Sequence, residues 1–433
     1  MQQTIGKYRW TICGLIFFAT TINYLDRAVI SLLKKTLTGE FHWTETDYGN
    51  IVIAFQLSYA IGLLGAGRLI DKLGTKIGYA LATGLWSVAA IAHALAKSTL
   101  GFGMARSALG VTEAGNFPAA IKATAEWFPK KERAFATGIF NSGTNIGAIL
   151  APLTVPFIAK QFGWEAAFII TGAIGFIWLI LWFRYYEVPA RHKKISREEF
   201  DYIHSDKDEI LEDPANTDTR KVSWIKLLGL RQTWAFALGK FLTDPVWWFY
   251  LFWLPDFLDK EYHLESTDVA LPLALVYTLA SLGSVLGGWL PMKLVNNNWT
   301  VLRARRTSMF IYALCVLPVV FAQWLGAMNM WLAVIIIGLA AAAHQAWSAN
   351  IFTTVSDMFP KKAVGSVTGI GGMFGALGGV IIARVAPKLF EHYKAAGHEQ
   401  QGYFIMFLIC GFAYLVAWVL MYLLTAKAKK AAV

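Results

Sequence analysis

Charged side chains are scarce in this chain. They make up 15% of 433 residues, against about a quarter in an ordinary globular domain. Apolar residues make up 56%, with a mean hydropathy of +0.47. So little polar surface cannot cover so many apolar side chains, which excludes an ordinary soluble protein. Cysteine is also rare. Cys13, Cys315 and Cys410 each lie within an apolar run, which excludes a disulfide framework or a cysteine-based metal cluster and points to buried, inert thiols. Acidic residues are the minority, 28 against 39 basic, for a net charge of +11. The basic residues are scattered over many short loops, which excludes a polybasic nucleic-acid face. No nucleophile–base motif, metal cluster or cofactor loop is visible, so the chain is expected to be no enzyme and to need no cofactor or metal.

Long apolar runs dominate what is present. A membrane span needs roughly 20 mostly apolar residues. Twelve such spans are expected, near 10–33, 48–68, 77–96, 99–125, 134–158, 164–186, 233–256, 267–292, 306–325, 330–355, 364–387 and 402–424. The loops between them carry most of their Lys and Arg on the side that also holds both ends of the chain. Positive loops stay cytoplasmic, so both termini are expected there. The pI of about 9.4 is then mainly a topology signal. The first run is too long for a signal-peptide core, contains Asp26-Arg27 and lacks a small-residue cleavage site, so it reads as a retained helix.

The chain also repeats itself. Phe128-Pro129-Lys130-Lys131 returns as Phe359-Pro360-Lys361-Lys362; at the same displacement Thr137-Gly138-Ile139 maps onto Thr368-Gly369-Ile370, and Gly147 onto Gly378. A period of about half the chain means two related halves. The expected fold is an all-α membrane protein with two pseudo-symmetric six-helix bundles, residues 1–186 and 233–433. Two related hydrophobic halves point to a transporter with its site between them. A hydrophilic segment, 187–232, joins them. Ser196-Arg197-Glu198-Glu199 has capping-box spacing and predicts a short surface helix. The segment reads as a solvated linker, with a regulatory binding site as the alternative. Helices 5 and 11 are rich in glycine (Gly143 and Gly147; Gly371, Gly375 and Gly379). Small residues four apart let helices approach closely in lipid; packing accounts for them, and sliding between halves is compatible.

Charges at bilayer depth cost at least roughly 2.5–3.5 kcal/mol each and are seldom idle. The chain has Asp26 and Arg27 in helix 1, Arg106 and Glu113 in helix 4, Lys240 and Asp244 in helix 7, and His344 in helix 10. At a rise of about 1.5 Å per residue, Asp26 and Arg106 fall at similar depth, roughly 10 Å below the outer boundary. An Asp26–Arg106 ion pair is therefore expected. Glu113 lies two turns deeper on the same face as Arg106. It has no cation at i±3 or i±4, and an unpaired buried carboxyl favours its protonated form; Glu113 is the expected proton site. These charges could instead only hold helices together, an alternative strongest for Lys240–Asp244 at i,i+4. His344 could equally be a satisfied core histidine.

Polar and aromatic groups accompany the charges: Tyr24 one turn before Arg27, Tyr59 in helix 2, Asn141, Thr144 and Asn145 on helix 5, and Gln345, Trp347 and Asn350 near His344. Amides and hydroxyls suit a polyhydroxylated ligand, and aromatic faces suit its C–H side. Trp247, Trp248 and Trp253 could be packing or site residues. The repeat carries Glu113 onto His344 and Arg106 onto Ile337, so the first half reads as the charged, coupling side and the second as a neutral aromatic wall that selects substrate.

Between helices 2 and 3 lies Gly67-Arg68-Leu69-Ile70-Asp71-Lys72-Leu73-Gly74-Thr75-Lys76. Glycines permit a tight turn, and Asp71 can face the positive end of a neighbouring helix. This stretch matches the loop G-x-x-x-D-x-x-G-x-[KR] of the major facilitator superfamily, which the whole chain resembles in its helix number and repeat. Asn23-Tyr24-Leu25-Asp26-Arg27, Arg106 and Thr112-Glu113-Ala114-Gly115-Asn116-Phe117-Pro118 resemble the anion:cation symporter family, as does Trp127-Phe128-Pro129 followed by Glu132-Arg133. The run Lys240-Phe241-Leu242-Thr243-Asp244-Pro245-Val246-Trp247-Trp248 looks most like the branch of bacterial hexuronate and galactonate transporters. The resemblance implies proton-coupled import of an organic anion across the bacterial cytoplasmic membrane. Arg27 would hold the substrate carboxylate and Tyr24 and Tyr59 would line its site. Asp26 and Glu113 would be protonated, with Arg106 partnering Asp26; Gly67, Asp71, Gly74 and Lys76 would form the conformational loop. Asn141, Thr144, Asn145, Trp248, His344, Gln345, Trp347 and Asn350 complete the expected substrate site. The expected substrate is a hexuronate or aldonate, carried by a monomer. Sodium-coupled or facilitative transport of another carboxylate is the first alternative. A transporter-like nutrient sensor is the second, and would usually need an added signalling domain.

Overall fold

A computed structural model describes residues 6–43, 45–205, 223–262 and 270–425. Among these the regular structure is helical throughout, with no strand. The first half comprises α1 (Tyr8–Leu32), α2 (Lys34–Phe41), α3 (Glu45–Leu73), α4 (Thr75–Ala92), α5 (Thr99–Glu113), α6 (Asn116–Trp127), α7 (Lys130–Phe162) and α8 (Trp164–Tyr185). Two short helices follow, α9 (Arg197–Ile203) and α10 (Trp224–Leu228). The second half comprises α11 (Arg231–Tyr262), α12 (Ala270–Asn296), α13 (Val301–Val316), α14 (Ala322–Met328), α15 (Met330–Met358), α16 (Lys361–Ala395) and α17 (Glu399–Thr425).

Ten of the expected spans coincide with stretches long and apolar enough to cross a membrane. The run near 233–256 lies inside α11, where Lys240 and Asp244 dilute the hydropathy. The run near 99–125 is not one helix. It divides between α5 and α6, at Ala114 and Gly115. Pro118 explains the position of the break: without an N–H it cannot bond to the carbonyl four residues back, that of Ala114. Glu113 is thereby the last residue of α5. Pro318 similarly turns Leu317–Phe321 into a 3₁₀ segment between α13 and α14.

The repeated Phe-Pro pair is punctuation. Phe128 and Phe359 are both extended (φ −127° and −116°), ending α6 and α15, because the residue before a proline is pushed out of the helical region. Gly147 on α7 packs against Tyr24 of α1, and its repeat partner Gly378 on α16 packs against Phe241 and Pro245 of α11. The two halves thus use one close approach twice, as small residues in lipid allow. The linker begins at Glu187, tied to Lys76 at 2.9 Å; that ammonium holds the Glu187 carboxyl below its usual range. Ser196 caps α9, accepting from the Glu199 N–H at 3.2 Å as the spacing predicted. Part of the linker, 206–222, lies outside the described residues.

The halves meet at one end. Asp71 accepts from the Gly365 and Ser366 N–H groups near the start of α16 (3.1 and 2.6 Å) and from the Ser366 hydroxyl, and it is held by Lys122 at 3.0 Å. Arg133 donates to the Ser356 carbonyl at 2.8 Å, and Arg305, paired with Asp357, donates to the Lys130 carbonyl at 2.9 Å. Glycines set the spacing: a Cβ on Gly67 would collide with the Gly365 carbonyl, and one on Gly138 with the Ser284 carbonyl. Polar contacts between the halves continue from this end to Asn141, which meets Gln345 and Ser284. The protein is therefore closed at the Asp71 end. Gly67→Leu is expected to force this end apart. Hydrogen exchange at amides 365–371 should then rise at least about tenfold, a loss of local protection of about 1.4 kcal/mol; unchanged protection would show that the glycine contact does not hold the closure.

Candidate functional site

Above the closed end, between the halves, lies a cavity with about 690 Å³ of unfilled space, part of it open to solvent. Its wall on the first half is built around Arg27. The guanidinium sits between three rings, 4.6 Å from Tyr24, 5.0 Å from Phe55 and 4.7 Å from Tyr59. Tyr24 is one turn before it on α1; Phe55 and Tyr59 are one turn apart on α3 and stacked, 5.9 Å between centroids. Cation–π contacts of this kind hold a cation in place with little loss of hydrogen-bonding capacity.

Behind Arg27 stands Glu113. Arg27 Nε donates to Glu113 Oε2 at 3.0 Å, and Nη2 lies 2.9 Å from the same oxygen. The helix break at Ala114 and the close packing of α3 on α5 at Gly62 and Gly110 bring them together. Glu113 was expected to lack a cation. Spacing along one helix could not show a partner that arrives from α1. Glu113 is fully buried and does not border the cavity, and its Oε1 accepts no hydrogen bond among the described residues.

The expected Asp26–Arg106 ion pair is absent. Both side chains are buried, but Arg106 donates to the Arg27 carbonyl at 3.3 Å, and neither Asp26 oxygen meets hydrogen-bond or ion-pair geometry among the described residues. Equal depth does not bring two side chains onto facing helix surfaces. Asp26 leaves α1 about 100° around the helix from Arg27.

The opposite wall comes from α11, α15 and α16. Lys240 and Asp244 pair at 2.8 Å, and the Lys240 ammonium lies 4.1 Å over the Phe352 ring. His344 stacks on Trp247 at 5.0 Å and hydrogen-bonds the Tyr414 hydroxyl behind it. Asn141 on α7 crosses between halves, donating to Gln345 at 2.8 Å and to Ser284 at 3.2 Å. Phe117 and Phe352 stack across the halves at 5.1 Å.

Of the residues expected in a substrate site, Tyr24, Arg27, Tyr59, Asn141, Thr144, Trp248, His344 and Gln345 border this cavity. Asn145, Trp347 and Asn350 do not. Asn350 donates to the Gly287 and Ala346 carbonyls, both at 2.8 Å, and Trp347 packs edge-on against Tyr414 at 5.5 Å. Adjacent helical residues point about 100° apart, so clustering in sequence near His344 overstated the site. Lys240, Asp244, Trp247, Phe117 and Phe352 border the cavity and were not assigned to it. For Lys240 and Asp244 a signal existed, since a charge pair in an apolar run is rarely placed without purpose; the phenylalanines carry none. The second wall is accordingly not neutral, as the repeat had suggested.

Comparison with known proteins identifies the family and the fold. Residues 16–383 match the Major Facilitator Superfamily, and the chain belongs to that superfamily. It is 34% identical over 391 residues to the hexuronate transporter of Escherichia coli K12, covering 90% of this chain and 89% of the relative. It is 38% identical over 288 residues to the galacturonate transporter of Dickeya chrysanthemi, covering 66% and 83%. The proton:xylose symporter XylE shares the fold, with a TM-score of 0.75 at 17% identity over 96% of this chain and 95% of that one. Within the superfamily the chain groups with sugar-acid transporters, and it is an integral membrane protein and not an enzyme.

The two charge arrangements differ in a measurable way. Arg27→Gln and Glu113→Gln, combined, should show a coupling of about 1–3 kcal/mol in thermal stability, as residues in direct contact do. Asp26→Asn with Arg106→Gln should show less. A larger coupling for the second pair would mean that those side chains meet.

Proposed function

We propose that this protein is a twelve-span secondary active transporter with both termini in the cytoplasm of a bacterial cell, and that it imports a sugar acid of the hexuronate or aldonate class by proton symport. One observation carries the reading: the cation that faces the cavity, Arg27, is already paired with a carboxyl that lies behind it, Glu113. A substrate carboxylate must compete with Glu113 for the same guanidinium. Protonating Glu113 removes its charge and frees Arg27 to form a charge-assisted pair with the substrate. One anion and one proton then enter together, and the buried centre holds no more net charge than before. Asp26, buried one position away, is a second protonation site whose charge Arg106 balances at longer range.

The rest follows from cost. Closing the cavity over an unbalanced charge in a low-dielectric interior is expensive, so the halves rock around the site only when it is empty and paired or loaded and neutralised. With the Asp71 end closed, substrate enters from the opposite side. Release requires the contacts at Asp71, Arg133 and Arg305 to open. Asn141, Thr144, Gln345 and the aromatic faces of Tyr24, Tyr59 and Trp248 suit the hydroxyls and C–H surface of a sugar acid. The similarity to the hexuronate and galacturonate transporters supports this substrate class. The reading takes the halves as 1–186 and 233–433 around a linker, and the unit as a monomer.

In proteoliposomes with an acidic exterior, Glu113→Gln is expected to abolish uphill galacturonate uptake while leaving galacturonate exchange intact, because the glutamine mimics the protonated acid. Arg27→Ala should weaken galacturonate binding at least about 100-fold, the scale for removing one partner of a buried charge pair. Persistent gradient-driven uptake by the Glu113 variant would overturn the proton assignment. Uptake driven by a sodium gradient alone would overturn proton coupling.

A further inference from the structure

The two ion pairs that flank the cavity face it with opposite polarity. In the Arg27–Glu113 pair the cation is the exposed member, 14% against 0% for the carboxylate. In the Lys240–Asp244 pair the carboxylate is the exposed member, 20% against 7% for the ammonium. Lys240 is drawn back over the Phe352 ring. Asp244 is held forward by its seat: its carboxylate lies on Gly375 of α16, where a Cβ would collide with Oδ2. Asp244 borders the cavity and Glu113 does not. His344, packed on Trp247 beside this pair, adds a ring whose Nδ1 is already engaged by Tyr414.

From this we infer that Asp244 is a specificity-determining residue: it admits substrates with one carboxylate and a hydroxylated far end, and rejects those with a carboxylate at both ends. The inference rests on the sugar-acid reading above and narrows it. A monocarboxylate places its charge on Arg27 and its hydroxyls within reach of Asp244. Hydroxyl groups donate and a carboxylate only accepts, so the match is direct. A second carboxylate would meet a fixed negative charge in a partly desolvated wall, where like-charge contact is strongly unfavourable. Lys240 borders the cavity as well and offsets the pair's net charge, but it is the more buried member and its ammonium is drawn onto the Phe352 ring, so Asp244 is the charge that stands further forward. The small residue at position 375 is part of the same device, since it sets how far Asp244 projects.

The test is direct binding to the purified full-length protein in detergent, by tryptophan fluorescence, with galacturonate and galactarate as probes. Wild type should bind galacturonate at least about tenfold more tightly than galactarate. Asp244→Asn should close that gap at least about tenfold by gaining galactarate affinity, with galacturonate changed less. Because Asp244→Asn leaves Lys240 buried without its partner and can misfold, Lys240→Met/Asp244→Asn is measured alongside; it removes both charges and should lose the discrimination too. Discrimination unchanged in either folded variant overturns the inference while leaving the sugar-acid reading intact. Wild type binding galactarate as well as galacturonate overturns it as well. Tighter binding of a zwitterionic probe such as glucosaminate than of galacturonate would show that Asp244 recognises a cation and not hydroxyls. Failure of wild type to bind either sugar acid overturns both this inference and the function it rests on.

Discussion

A guanidinium inside a membrane protein has to be answered by an anion, and the arrangement of the site follows from which anion answers it. Arg27 is answered by Glu113, from behind, while three aromatic rings hold its sides. This leaves the front of the guanidinium for a ligand. It also makes ligand and internal carboxylate alternatives for one cation, since a buried cation cannot carry two full negative charges without leaving the site negatively charged. The proton is the smallest means of resolving that conflict. On the proton-symport reading we propose, coupling needs no dedicated relay between distant sites: the interaction that binds the substrate would also report the protonation state of Glu113.

The placement of Glu113 depends on a local backbone event. Pro118 removes the hydrogen bond that would have capped the Ala114 carbonyl, and the helix breaks there. Ending α5 at Glu113 lets its carboxylate meet α1, with α3 packed close enough at Gly62 and Gly110 to bring Tyr59 onto the same cation. Glycine does comparable work between the halves. The contacts at Gly67, Gly138 and Gly288 put backbone against backbone, and Asp71 then finds two N–H groups of α16. The closure combines these backbone approaches and charged contacts with apolar packing such as Phe117 on Phe352.

Much of this was legible in the sequence, and the failures share one cause. The all-helical architecture was readable from apolar runs, and the helix ends at Phe128-Pro129 and Phe359-Pro360 from the restriction that proline places on its neighbour. The importance of Arg27 and Glu113 followed from the cost of charge in lipid. What could not be read was azimuth: which way around its helix each side chain faces once other helices pack. Depth placed Asp26 beside Arg106, yet they do not meet. Proximity along the chain put Trp347 and Asn350 with His344, yet they face the protein interior. Glu113 lacked a partner along its own helix and found one across the bundle. Lys240–Asp244 was visible as a pair, and only the packing of α11 on α16 showed which of the two stands further forward in the cavity.

That last distinction changes what pseudo-symmetry means here. The repeat relates the backbones of the two halves closely enough for Gly147 and Gly378 to serve the same packing role. It does not make the walls chemically equivalent. Nor is one wall charged and the other plain: each carries a cation and a carboxylate. The asymmetry lies in which member is forward. An enclosed site with a cation at one end and an anion at the other has near-zero net charge yet a strong internal gradient, and such a gradient orients a ligand that has one charged end. Orientation matters for a transporter, because a substrate bound in a single direction presents its carboxylate to the coupling pair and its hydroxyls to the wall that moves against it. On the proposed reading the two related halves supply the symmetry that alternating access requires, and the reversed ion pairs supply the direction that coupling requires.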